Sequence, residues 1–114
     1  MLYIYSSNIH TGRFEEFQRW VSANKEKFAA AQPKTWVLRD IYLTVFGLGN
    51  AHVEIHWDID GYESFDIARS TAEGGGPFFK LLTKIHSFLD PATGKGRLLK
   101  DAGAGEAVVV DAAR

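Results

Sequence analysis

Between Lys34 and Asp58 the chain carries the pattern that most limits its fold. A β-rich run to Phe46 is followed by the turn signal Gly47-Leu48-Gly49 and then by strict apolar–polar alternation from Asn50 to Asp58. Two such runs joined by a short glycine-containing loop make a β-hairpin. For Asp40, Tyr42 and Thr44 to share a face with His52, Glu54 and His56, directly opposed positions must add to an even number. A loop of Gly47, Leu48 and Gly49 meets that condition.

The hairpin sits inside a regular order of elements. Met1 to Ser7 alternates and is rich in Tyr and Ile, which predicts a strand. Thr11 is placed to cap a helix with Glu15 and Glu16 in its first turn. Phe14, Phe17, Val21 and Phe28 recur at helical spacing until Pro33 stops the run. After the hairpin, Asp58 or Asp60 caps a helix carrying Tyr62, Phe65, Ala68 and Ala72, broken at Glu73-Gly74-Gly75-Gly76. Pro77 opens a further helix whose apolar stripe is Phe78, Leu81, Leu82, Ile85 and Leu89. Asp90-Pro91 ends it, and the run around Arg97 to Lys100 is a final strand. Strand, helix, two strands, helices, strand is the split βαβ order. It predicts an α+β, ferredoxin-like four-stranded antiparallel sheet with helices on one face and the first and third strands central. One domain over residues 1–101 is expected, with 102–114 a Gly/Ala-rich tail.

Alternation sorts the strands into two faces. Leu2, Ile4, Ile41, Leu43, Val45, Val53, Ile55 and Trp57 form an apolar set expected under the helices. Tyr3, Tyr5, Ser7, Trp36, Leu38, Asp40, Tyr42, Thr44, Phe46, His52, Glu54 and His56 form an aromatic and polar set. A 114-residue chain with 13% aromatic residues would expose that second set widely as a monomer, so a second layer is expected to cover it.

Composition removes several functions. Thirteen basic against fourteen acidic residues give a net charge of −1, which lacks the basic surplus of an electrostatic nucleic-acid binder. The absence of cysteine removes disulfides, thiolate metal sites and a cysteine nucleophile. No apolar stretch nears the roughly 20 residues of a membrane helix. The start, Leu2-Tyr3-Ile4-Tyr5, has no basic leader, so a cytoplasmic protein without membrane or nucleic-acid partners is expected.

The strand Leu2-Tyr3-Ile4-Tyr5, the helix start Gly12-Arg13-Phe14-Glu15-Glu16-Phe17, the strand Val53-Glu54-Ile55-His56-Trp57 and the following Tyr62-Glu63-Ser64-Phe65 together resemble the dimeric α/β barrel superfamily. Within it they resemble the small NIPSNAP-like and antibiotic-biosynthesis-monooxygenase-like proteins. The resemblance covers about Met1 to Lys100 and lies in hydrophobic pattern and element order. It implies a homodimer in which two sheets face each other and enclose small-molecule cavities. Fold alone assigns no chemistry.

His52, Glu54 and His56 are the most suggestive residues, with Asp40 as a neighbour. Two imidazoles and two carboxylates suit acid/base catalysis near neutral pH. They equally suit an interfacial hydrogen-bond network without chemistry. A metal held by both histidines is disfavoured, because strand residues four apart are separated by roughly 13 Å; His52 with Glu54, or Glu54 with His56, plus a ligand from a neighbouring strand is feasible, and no metal or other cofactor is expected. Tyr3, Tyr5, Trp36, Tyr42 and Phe46 are the candidate ligand-binding residues around them. The resemblance also implies a second constellation, Asn8, Trp57 and His86, which matches positions used by cofactor-free monooxygenases and haem degraders. Its plainer reading is core packing for Trp57 and helix surface for His86. Glu73 to Pro77 reads as a connector, His10 as a solvated loop residue or a pocket gate, and Lys95, Arg97 and Lys100 as edge-strand charges. The favoured reading is a small-molecule-binding homodimer, with catalysis open. The alternatives are a monooxygenase or haem-binding pocket between sheet and helices, and a non-catalytic structural or regulatory dimer.

Overall fold

In the computed structural model the described residues are 1–44, 47, 50–66 and 75–100. The elements run β1 (Leu2–Asn8), α1 (Phe14–Ala31), β2 (Trp36–Leu43), β3 (His52–Ile59), α2 (Pro77–His86), a 3-10 turn (Pro91–Thr93) and β4 (Lys95–Leu99). The strands form one four-stranded sheet in the order β2-β3-β1-β4, antiparallel at every pairing. This is the ferredoxin-like topology expected from the element order, with β1 and β3 central.

The helices bury the residues that the spacing indicated. From α1 Phe17, Val21 and Phe28 enter the core, and from α2 Phe78 and Ile85 do. Phe28 stacks on Phe78 at 5.4 Å, which fastens the two helices to each other, and Phe17 packs at 5.1 Å on Phe88 just past the end of α2. Each such ring, taken fully out of water, is worth about 1.5–3 kcal/mol. Pro77 occupies the first turn of α2 as expected. Leu89 lies beyond the helix and is buried in a bridge with Ile9.

The α1 start differs from the expectation. Thr11 stands in a turn with Gly12 at φ +83°, the Arg13 N–H donates to the His10 carbonyl, and the helix begins at Phe14 without a side-chain cap. Arg13 instead donates to the Ser87 carbonyl at 2.7 Å and pairs with Glu16, tying the start of α1 to the end of α2. Ser64–Asp66 are helical, as expected for Phe65, but Tyr62 stands in the turn before them and is exposed, and Asp58 belongs to β3 instead of capping a helix; Ala68 and Ala72 lie outside the described residues. So do Val45, Phe46, Leu48, Gly49, Glu73, Gly74 and the expected tail from Ala102. No described helix is long and apolar enough to cross a membrane.

Sheet register decides which side chains face the helices. From Asp40 to Leu43 the β2–β3 pairs add to an even number, as the hairpin argument required: Asp40 opposes His56, Tyr42 opposes Glu54. Between Leu38 and Asp40 the register shifts, leaving Arg39 as an extra residue. A bulge of this kind reverses the phase of alternation. Trp36 and Leu38 therefore share the helix side with Ile59 and Trp57, which corrects their assignment to the polar set. Val37 moves to the other side, opposite Asp58.

The β1 strand is also reversed. Tyr3 pairs with Trp57, Tyr5 with Ile55 and Ser7 with Val53, so these three face the helices. Leu2, Ile4, Ser6 and Asn8 take the open side with Asp58, His56, Glu54 and His52. Both alternating sets of β1 are apolar enough to be buried, so alternation alone could not choose between them. The choice is written at β4 and the residue before it: a Cβ on Gly94 would lie 2.6 Å from the Tyr5 hydroxyl, and one on Gly96 2.9 Å from that of Tyr3. Those glycines clear the space that the tyrosines fill.

Candidate functional site

On the open side the register builds a grid of rows about 4.8 Å apart from strand to strand. One row is Asp40, His56, Ile4 and Arg97; the next is Tyr42, Glu54, Ser6 and Lys95. His52 and Asn8 stand opposite each other at one end, and Val37, Asp58, Leu2 and Leu99 form the row at the other. No described helix packs on this side. Ile4 is buried on it yet stands apart from the core cluster, while Val37 (58%), Tyr42 (50%) and Leu99 (41%) are exposed.

Two hydrogen-bonded pairs organise its polar residues. His56 Nε2 lies 2.9 Å from Glu54 Oε1, and the Tyr42 ring meets the His56 ring edge-on at 4.7 Å. A carboxylate can only accept, so Nε2 carries the proton and Nδ1 keeps a lone pair in neutral His56. His52 Nδ1 lies 2.9 Å from Asn8 Oδ1. With that oxygen accepting, His52 presents Nε2 as its free base. The two histidines are thus held by different partners and do not converge. Among the described residues no three His, Asp or Glu side chains come together closely enough for a metal ion.

Asp40 shares the row of His56, but its carboxylate is engaged elsewhere. The Ile41 N–H donates to Oδ1 at 2.7 Å and Lys25 Nζ does so at 3.0 Å. The backbone donor first, and Lys25 second, hold this carboxyl below the usual carboxylate range. It is an anion tethered to α1, one strand away from the Glu54–His56 pair.

The remaining candidates lie on the other side. Tyr3 stacks on Trp57 at 5.6 Å and meets Trp36 and Phe65 edge-on at 5.4 and 5.2 Å. Burial pushes the Tyr3 phenol pKa up, and the neighbouring Tyr5 adds to the rise. Trp36 donates its indole N–H to the Ser64 carbonyl at 2.8 Å. Trp57 is 3% exposed, and its Nε1 is the one buried side-chain polar atom without a partner among the described residues. Tyr5 packs edge-on against His86 at 5.4 Å, whose partial burial lowers its pKa. Asn8 and Trp57 face opposite sides of the sheet, so they do not line one pocket between sheet and helices. Phe46 lies outside the described residues.

Sequence reasoning missed two signals. Trp36/Leu38 and Ile41/Leu43 are apolar pairs out of phase with each other, and the charged Arg39-Asp40 between them marks the bulge. Gly94, just before the last strand, and Gly96 within it mark the face where the tyrosine rings lie.

Neither a protein-family model nor a curated protein matches the sequence. Solved structures do match. A NIPSNAP domain protein from Burkholderia xenovorans superposes with a TM-score of 0.66 at 16% identity, covering 89% of this chain and 94% of that one. A NIPSNAP family protein from Agrobacterium tumefaciens gives 0.68 at 14% identity, over 89% and 85%. A dimeric ferredoxin-like protein from an uncultured marine organism gives 0.50 at 10% identity, over 88% of each chain. At these identities the likeness is one of fold, and the chain is a ferredoxin-like α+β protein with the architecture of the NIPSNAP domain proteins.

Proposed function

We propose that the protein is a cytoplasmic homodimer that binds a small organic molecule against the open face of its sheet, with the Glu54–His56 pair as its proton-transfer centre. The observation that carries this reading is the 2.9 Å Glu54–His56 contact on a face that no described helix covers. Exposed Val37, Tyr42 and Leu99 on that face are the apolar surface a second copy would bury. The dimeric ferredoxin-like neighbour supports the same arrangement.

The chemistry follows from the pair. Glu54 fixes the ring of His56 with Nε2–H toward the carboxylate, which leaves Nδ1 to accept a proton from a bound molecule. The imidazolium so formed is stabilised by the adjacent carboxylate, as in other His–carboxylate pairs. Tyr42, in edge contact with His56, supplies both a wall and a hydroxyl for orientation. No cofactor enters this scheme. Asn8–His52 closes one end of the face.

Native mass spectrometry on the purified protein tests both parts. The expected result is a dimer mass carrying a retained small molecule. Val37→Arg with Leu99→Arg should give a folded monomer. His56→Ala and Glu54→Gln should each keep the dimer and lose the molecule or its turnover. A monomeric wild-type protein refutes the assembly, and unchanged ligand behaviour in both single variants refutes the site.

A further inference from the structure

A second site lies at the Asn8 end of that face, where β1 runs out. A cavity of ≈ 420 Å³ opens there, within the range of small-molecule sites. Its side-chain lining is polar: Asn8, His10, Thr11, Asn50 and Asp90. The walls are fixed by backbone bonds: Ile9 N–H to the Ala51 carbonyl, His10 N–H to Phe88 and Asp90 N–H to Asn8, each 2.9 Å. Fully buried Ser7 donates to the Asp90 carbonyl at 3.0 Å and holds that corner from beneath.

Much of the hydrogen-bonding capacity around this cavity is unspent. Asn8 uses its oxygen on His52, which leaves its amide N–H groups. Asp90 uses Oδ1 to accept from the Ala92 N–H at 3.1 Å, which leaves Oδ2. The side chains of His10, Thr11 and Asn50 have no hydrogen-bond partner among the described residues. Amide donors, a hydroxyl and a carboxylate acceptor on a rigid frame complement a molecule that offers several hydroxyl groups, each both donor and acceptor. Among the described residues Asp90 is the only Asp, Glu, Lys or Arg in the lining, so a phosphate or carboxylate would meet its repulsion with no Lys or Arg there to offset it.

We propose that this cavity binds a neutral polyhydroxylated molecule, a sugar or polyol, through Asn8, Asn50 and Asp90. The site is independent of the Glu54–His56 pair and stands if that reading fails. The test is an amide-resolved NMR titration of the full chain with glucose, ribose and myo-inositol, beside ribose 5-phosphate and glucosamine. At least one neutral compound should shift the amides of residues 8–12, 50, 51 and 90 in a saturable way, and the phosphate should not. Asp90→Asn keeps the oxygen that caps Ala92 and replaces the free acceptor with a donor, so the affinity should fall by about tenfold. Asn50→Ala removes a side chain with no described partner and should weaken binding several-fold in a folded protein. His56→Ala should leave this binding unchanged. No saturable shift at these residues, tighter binding of ribose 5-phosphate than ribose or of glucosamine than glucose, or wild-type affinity in both cavity variants overturns the proposal.

Discussion

The two sides of this sheet are built from the same four strands and are opposite in kind. The helix side is closely packed: Tyr3 and Trp36 each pack on Trp57, on Phe65 and on one another, with ring centroids 5.2–5.7 Å apart. The open side is held by short polar contacts, Glu54–His56 and Asn8–His52, and shows Val37, Tyr42 and Leu99 to solvent. One side spends its residues on folding. The other leaves polar pairs and apolar side chains exposed, and the contrast predicts that the same kind of truncation has very different effects on each.

The largest effect should come from Trp57→Ala. Trp57 is 3% exposed and touches Tyr3, Trp36 and Phe28, so truncation leaves a cavity that the stacked rings cannot fill. Loss of about 3–5 kcal/mol in chemical denaturation is expected. Trp57→Phe should cost clearly less than Trp57→Ala, because it keeps a ring and removes the one buried N–H without a described partner. Equal losses in the two variants would show that the indole N–H is satisfied and contributes.

Next in size is Gly96→Ala. The new methyl would lie 2.9 Å from the Tyr3 hydroxyl, and the Tyr3 ring is fixed by three aromatic neighbours. Overpacking of this kind costs about 1–3 kcal/mol. In a Tyr3→Phe background the clashing oxygen is gone, so the substitution should cost less there. A double-mutant cycle reads that coupling, and its absence would mean that Tyr3 does not occupy the space Gly96 leaves.

These glycines also show where sequence legibility ended. Element order, the helix stripes and the hairpin phase from Asp40 onward could be read directly, because Phe17, Phe28, Ile55 and Val53 each had one physically reasonable direction. Tyr3 and Tyr5 did not. A tyrosine satisfies either environment, burying its ring and keeping its hydroxyl bonded, so the preference for Leu2 and Ile4 as core residues failed. Trp36 failed for a different reason: one inserted residue, Arg39, moved every side chain before it to the other face. The candidate residues whose face was read correctly, His52, Glu54, His56 and Tyr42, all lie beyond that bulge and inside the hairpin. Their pairings were not legible, because Asn8 reaches this face only once the phase of β1 is known.

On the open side, Glu54→Gln and His56→Ala should each change stability by about 0.5 kcal/mol or less, since both side chains are partly solvent-exposed and neither fills the core. Set beside Trp57→Ala, thermal melts of these variants give the contrast its sharpest form. A loss in either variant comparable to that of the core truncation would mean that the pair is a structural element of the fold, and the division of labour between the two faces would collapse.

The smallest effect should appear where the helix side reaches solvent, at His86. Burial against Tyr5 lowers its pKa below the ordinary histidine value of 6.5, so between that value and the lowered one the unfolded chain binds the proton and the folded chain does not. The contribution is fully present above the ordinary value and is lost as the pH falls through the lowered one. Wild-type protein should therefore lose melting temperature over that window by slightly more than His86→Gln, which carries no titrating ring. The difference is small because part of the imidazole keeps its water. A wild type that gains stability over the same window relative to the variant would reverse the sign, and would place a carboxylate rather than the Tyr5 ring as the dominant neighbour of His86.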